Sequence, residues 1–149
     1  SVKNAVTRGN WLVRGVDRVD EAMGQVWFRT CGLDADQDPY HVHYARANLD
    51  GSGFTRLTTG DGTHAVTFSP DRRFLVDTYS RADLPPVTEL RRSDTGDKVC
   101  DLETADVSAL RKVLPRGPER FVAKGRDGKT DIWGIVVRPS HFDPAKKYP

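Results

Sequence analysis

Apolar and polar side chains alternate in short runs through residues 11–102, the pattern of strands with one face buried. In Gln25–Cys31, Val26 and Phe28 fall on one face and Trp27 and Arg29 on the other. The pattern predicts strands over Trp11–Val19, Gln25–Cys31, Tyr40–Asn48 and Phe54–Thr58. A second set follows over Ala65–Ser69, Arg73–Ser80, Thr88–Arg92 and Lys98–Leu102. Residues that favour turns separate them: Glu21-Ala22-Met23-Gly24, Asp50-Gly51-Ser52-Gly53, Ser69-Pro70-Asp71 and Asp94-Thr95-Gly96.

The two sets repeat one another. Val6-Thr7-Arg8-Gly9 returns as Leu57-Thr58-Thr59-Gly60, and Val26–Thr30 returns as Phe74–Thr78, each about fifty residues on. Four antiparallel strands per repeat of this length are the sequence form of a β-propeller blade. A two-layer sandwich is the rival, and the repeat argues against it. Two blades cannot close a ring, because each blade buries its faces against two neighbours. The expectation is therefore a piece of a larger propeller whose open strand edges and apolar faces favour self-association.

After Asp101 the spacing changes. Leu102, Val107, Leu110, Val113 and Leu114 fall near helical period, Asp106 or Ser108 offers a start, and Pro115 a stop. Beyond Arg116-Gly117-Pro118, the runs Phe121–Lys124 and Ile132–Val137 flank Asp127-Gly128-Lys129, a hairpin signal, and Pro139 closes the second run. The fold class expected is thus all-β, two four-stranded antiparallel blades with a short linker helix and a C-terminal hairpin. Its domains are residues 1–103 for the blades, 104–117 for the linker and hinge, and 118–149 for the first strands of another domain.

Composition narrows the function classes. Of the 149 residues 37% are apolar and 30% charged, enough apolar content for a folded chain. The net charge of +2 comes from 23 basic and 21 acidic residues with signs interspersed, so no nucleic-acid partner is expected. No run is long and apolar enough to predict a membrane span, and no charged-then-apolar leader is seen. Cys31 and Cys100 are too far apart in sequence for a metal knuckle; both are read as buried thiols, their pairing left open.

Candidate chemistry is sparse. No serine has glycines two positions before and after it, as a nucleophile elbow requires, and Ser52 between Gly51 and Gly53 suits a hairpin tip. Asp34, Asp36 and Asp38 are spaced like the first ligands of a calcium loop, but Pro39 stands where that loop needs glycine and Ala45 where it needs glutamate. His41 and His43 share one strand face, with His64 the other histidine of the repeat; rings packed between blades are the simpler reading than metal ligands. Trp11, Trp27 and Trp133 are read as core, and Arg91-Arg92 and Lys146-Lys147 as surface charge. No catalytic, cofactor-binding or metal residue is assigned, and no cofactor is expected.

Several stretches together resemble one family, the serine peptidases related to prolyl oligopeptidase, in their dipeptidyl-peptidase IV branch. Thr7-Arg8-Gly9-Asn10-Trp11 with Val13 resembles the opening of a late propeller blade. Leu57-Thr58 with His64–Asp71 resembles the start of the last blade, and Asp77–Ser80 with Leu84–Val87 its middle strands. Asp127–Thr130, Trp133-Gly134, Arg138–Ser140 with Phe142–Pro144, and Lys147-Tyr148-Pro149 resemble the opening of the hydrolase domain. The resemblance implies a parent enzyme in which an eight-bladed propeller caps an α/β-hydrolase domain. It implies removal of N-terminal X-Pro or X-Ala dipeptides from peptide substrates by a Ser-Asp-His triad, through an acyl-enzyme. It also implies a periplasmic or extracellular setting. The family's substrate-gripping glutamate pair and its triad match no position of this sequence, so the chain alone is expected to be inactive. A non-catalytic propeller of TolB type is the alternative, as is another branch such as an acylaminoacyl peptidase or oligopeptidase.

Overall fold

The structure, a computed structural model, describes residues 3–148. Two four-stranded antiparallel sheets follow one another, each a meander in chain order. The first is β1 (Leu12–Asp20), β2 (Gln25–Cys31), β3 (Val42–Asn48) and β4 (Thr55–Arg56). The second is β5 (Thr63–Phe68), β6 (Phe74–Arg81), β7 (Leu84–Arg92) and β8 (Lys98–Thr104). A short helix α1 (Ser108–Val113) precedes the antiparallel pair β9 (Glu119–Lys124) and β10 (Asp131–Val136). The chain forms two compact units, one reaching to Arg81 and including Pro86–Thr104, the other combining Ala82–Pro85 with Ala105 onward.

The blade turns are closed by their own side chains. Asp20 accepts the Met23 N–H at 3.0 Å between β1 and β2, and Asp71 accepts the Arg73 N–H at 3.1 Å between β5 and β6. These are local bonds that Asp offers readily, which is why each alternating run stops there. Between β2 and β3 the register is unbroken from Gln25↔Asn48 to Cys31↔Val42. β1 carries two irregularities against β2, between Val13 and Gly15 and between Val16 and Arg18.

Alternation along β2 divides the apolar residues between two cores. Val26 and Phe28 join Ala45 and Ala47 on one face, with Val6, Trp11 and Leu49 packed over them. The Phe28 ring stacks on Trp11 at 6.1 Å and tilts against Phe54 at 6.4 Å. Trp27 points the other way and packs with Leu57 and Leu75, beside Tyr44, Val66 and Phe68, so this second core is shared by both sheets. Burying side chains of this size contributes roughly 1.5–3 kcal/mol each. Gly96 closes the approach of the sheets: at its φ of 78° it lies so near the Arg56 carbonyl that a Cβ there would overlap the oxygen.

The expected strands are present with shifted ends. β4 has two residues, and β7 begins at Leu84 rather than Thr88, taking in Pro85 and Pro86 where the strand starts and a missing N–H is tolerated. The helix is shorter than its apolar spacing suggests. Leu102 belongs to β8, and α1 has six residues and buries none of them. One turn and a half without a packed face cannot draw in the flanking residues. Cys100 is also corrected, since it is exposed on β8, the outermost strand, whereas Cys31 is buried; both thiols are free.

In the second unit Asp127 builds the expected hairpin turn. Its carboxylate accepts the Lys129 and Thr130 N–H groups, each at 2.9 Å, and Gly128 takes φ 68°. Hydrogen bonds from the Thr130 hydroxyl and from these two amides hold the Asp127 pKa down to about 2. Beyond β10, Arg138 pairs with Glu119 at 3.0 Å and lies over the Phe142 ring, which stacks on Tyr148. Pro149, the last residue of the Lys147-Tyr148-Pro149 stretch, lies outside the described residues.

Candidate functional site

The densest assembly of ionisable side chains is buried where the two sheets meet. Period-two alternation delivers it: His43 shares the inward side of β3 with Ala45 and Ala47, Asp77 shares that of β6 with Leu75, and Glu89 and Arg91 share that of β7. His64 Nδ1 lies 2.8 Å from Asp77 Oδ1, and its Nε2 lies 3.2 Å from the Gly60 carbonyl. Arg91 Nε lies 3.3 Å from Asp77 Oδ2, while its Nη2 donates to Glu89 Oε2 and to Thr59 Oγ1, both at 2.6 Å, and its Nη1 donates to the Gly96 carbonyl at 2.9 Å. Lys98 reaches the other Glu89 oxygen at 3.2 Å. Each charge thus meets an opposite one, as burial demands.

Across the seam the His43 ring packs against His64 in a tilted arrangement at 4.6 Å, and His64 stacks on Tyr79 at 4.9 Å. His43 Nδ1 is 3.3 Å from Thr58 Oγ1, and Arg56 Nη2 lies 3.2 Å from the same ring nitrogen. Burial, with the neighbouring His64 and Arg56 adding to it, pushes the His43 pKa down to about 3. The neutral ring is therefore the packed form. In the unfolded chain the ring titrates near 6.5, so between about 6.5 and 3 the unfolded state binds more protons. Stability is then full above pH 6.5 and falls by about 1.4 kcal/mol per pH unit below it. Urea midpoints from pH 7.5 to 5 are expected to show this slope, and His43→Gln to flatten it; an equal slope in the variant would remove His43 as its source.

These side chains satisfy one another, so the arrangement serves as a polar key between blades. It offers no activated nucleophile. Reading Arg91 as surface charge is corrected: it is 4% exposed, whereas Arg92 beside it is exposed. The residues missed from sequence, Asp77, Glu89 and Arg91, sit at inward positions of their strands, and phasing β6 on Leu75 would have marked Asp77. The histidine rings do pack between blades, His43 on His64, while His41 Nδ1 faces Asp61 at 3.1 Å.

The other candidates stay apart. Asp34 gives both carboxylate oxygens to Arg56, at 2.9 and 2.7 Å, Asp38 accepts the Tyr40 N–H, and Asp36 is exposed. Among the described residues no three His, Cys, Asp or Glu side chains gather as a metal site. Ser52 caps a turn through Asp50. No helix is long and apolar enough to cross a membrane, among the described residues.

Comparison with known proteins places this architecture. A dipeptidyl peptidase 4 of Porphyromonas gingivalis superposes with a TM-score of 0.70 at 28% identity, covering 99% of this chain and 20% of that one. A protein named probable dipeptidyl-aminopeptidase B of Emericella nidulans is 30% identical over 97% of this chain, and the dipeptidyl-aminopeptidase B of Aspergillus niger is 28% identical over the same share. The chain spans 16% of the length of these two relatives. The family model for the dipeptidyl peptidase IV N-terminal region matches residues 1–86, from the first blade into the start of β7 in the second, and the chain belongs to that family.

Proposed function

We propose that this chain is the last two blades of the propeller of a dipeptidyl-peptidase IV-like serine peptidase together with the first strands of its hydrolase domain. It would help to enclose the active site and take no chemical step itself. Residues 118–149 form the hydrolase side of that division and 104–117 the hinge. The match of the family model to residues 1–86 carries the reading, supported by a similarity to the relatives that extends over the hairpin beyond the blades. A propeller serving only as a binding module has no use for that hairpin. The parent would release X-Pro or X-Ala dipeptides through a Ser-Asp-His acyl-enzyme and work in the periplasm or outside the cell.

The buried polar cluster between the blades is consistent with an enclosing role. The charged groups between the blades are spent on one another. The chain alone is expected to leave a Gly-Pro chromogenic amide intact. A protein continuing the same reading frame past Pro149 is expected to cleave it and to be silenced by an organophosphate that phosphorylates the serine nucleophile with loss of its leaving group. Turnover by the chain alone would overturn the division of labour, and an inert longer protein would overturn the peptidase reading.

A further inference from the structure

At the end of the sheets where β1 turns into β2, β5 into β6 and β7 into β8, a groove of about 440 Å³ opens between the blades. Two buried nitrogen donors of its lining residues have no hydrogen-bond partner: the indole Nε1 of Trp27, a residue 7% exposed, and Nη1 of Arg72. A buried tryptophan N–H ordinarily finds an acceptor, and leaving it without one is costly. The guanidinium of Arg72 lies 4.6 Å from the Phe68 ring centre and 5.8 Å from that of Trp27, so it rests over two aromatic rings, one of which carries the second donor.

The backbone holds Arg72 in place at some expense. Its φ of 55° lies in the left-handed region, where a branched-off side chain is disfavoured. Its N–H donates to the Ser69 carbonyl at 2.9 Å, and its own carbonyl accepts the Ser93 hydroxyl. Nearby acids do not quench it. Asp20 is taken by Arg18 at 2.7 Å and by the Met23 N–H, and Asp71 by the Ser69 hydroxyl at 2.7 Å and by the Arg73 N–H. The lining has four arginines, Arg46, Arg72, Arg73 and Arg92, against three aspartates, Asp20, Asp71 and Asp94, an excess of one positive charge.

From this geometry we infer that the groove is a binding site for a single carboxylate, received by Trp27 Nε1 and Arg72 Nη1. A flat, singly charged acceptor matches a planar guanidinium lying on aromatic rings and the one surplus charge. A doubly charged phosphate would face the three aspartates of the rim. The carboxylate can belong to a small free acid or to a peptide C-terminus. The site belongs to the two blades and does not rest on the peptidase reading.

The indole N–H signal of Trp27 in a nitrogen-15 correlation spectrum of the full chain reads the site directly, with the Trp11 and Trp133 signals as internal controls. Acetate and N-acetylglycine are expected to move the Trp27 signal saturably, and N-acetylglycinamide, which lacks the carboxylate, to leave it in place. Tighter binding of N-acetylglycine than of acetate assigns a peptide C-terminus, and equal binding a small acid. Arg72→Gly suits the backbone at that φ and is expected to weaken binding roughly ten-fold or more, the loss of one charge-assisted hydrogen bond. Arg72→Lys keeps the charge without the fork and is expected to weaken it several-fold. No saturable shift, an equal response to the amide, tighter binding of phosphate, or unchanged affinity in both variants would each overturn the assignment.

Discussion

Replacing Asp77 by alanine is expected to cost the blade pair about 3 kcal/mol or more, read as a fall in the urea midpoint at unchanged m-value. Asp77 is fully buried and holds two partners at once, His64 Nδ1 at 2.8 Å and Arg91 Nε at 3.3 Å. Removing one member of a buried ionic group strands the others, which is why truncation typically costs about 3–5 kcal/mol even when the intact group adds little net stability. Glu89 still faces Arg91 at 2.6 Å, which puts the loss at the lower end. Against a total of about 5–15 kcal/mol for a domain, such a loss is large. Asp77→Asn retains an oxygen for the His64 N–H and is expected to lose less. A change below about 1 kcal/mol in Asp77→Ala would show that water compensates the stranded groups.

Phe28→Ala is expected to cost about 3–5 kcal/mol, the range for a phenylalanine removed from a filled core. The ring is 2% exposed, lies parallel to Trp11 with centres 6.1 Å apart, and sits among Val26, Ala45 and Ala47. The two alanines of β3 have no reach to fill the space it leaves. Its register partner on β1 gives the control, because Val16 is 59% exposed and Val16→Ala should change stability by under about 0.5 kcal/mol. Similar losses in the two variants would mean that the Phe28 face is not packed as described.

Much of the blade architecture was legible in the alternation. Where one face of a strand is buried, a one-residue slip would expose the whole apolar set, so Val26 and Phe28 could be assigned together and Trp27 opposite them. The short helix was legible in type and not in length, because apolar spacing cannot distinguish Leu102 on a strand from Leu110 on a helix when neither is buried. Arg91 was misread for a related reason. Charge implies solvent only when no partner is available, and two of its partners, Asp77 and Thr59, come from other parts of the chain, joining Glu89 of its own strand.

The sequence by itself determined two repeats of four strands, a hairpin at Asp127-Gly128, and the family in which that order occurs. These depend on periodicity and turn chemistry, which act between residues close in the chain. Only the tertiary structure decided that His43 would meet His64 across a seam, that Asp77 would join His64 to Arg91, and that Trp27 and Arg72 would face one groove. Those meetings depend on how one blade packs against the next, and no local rule specifies them.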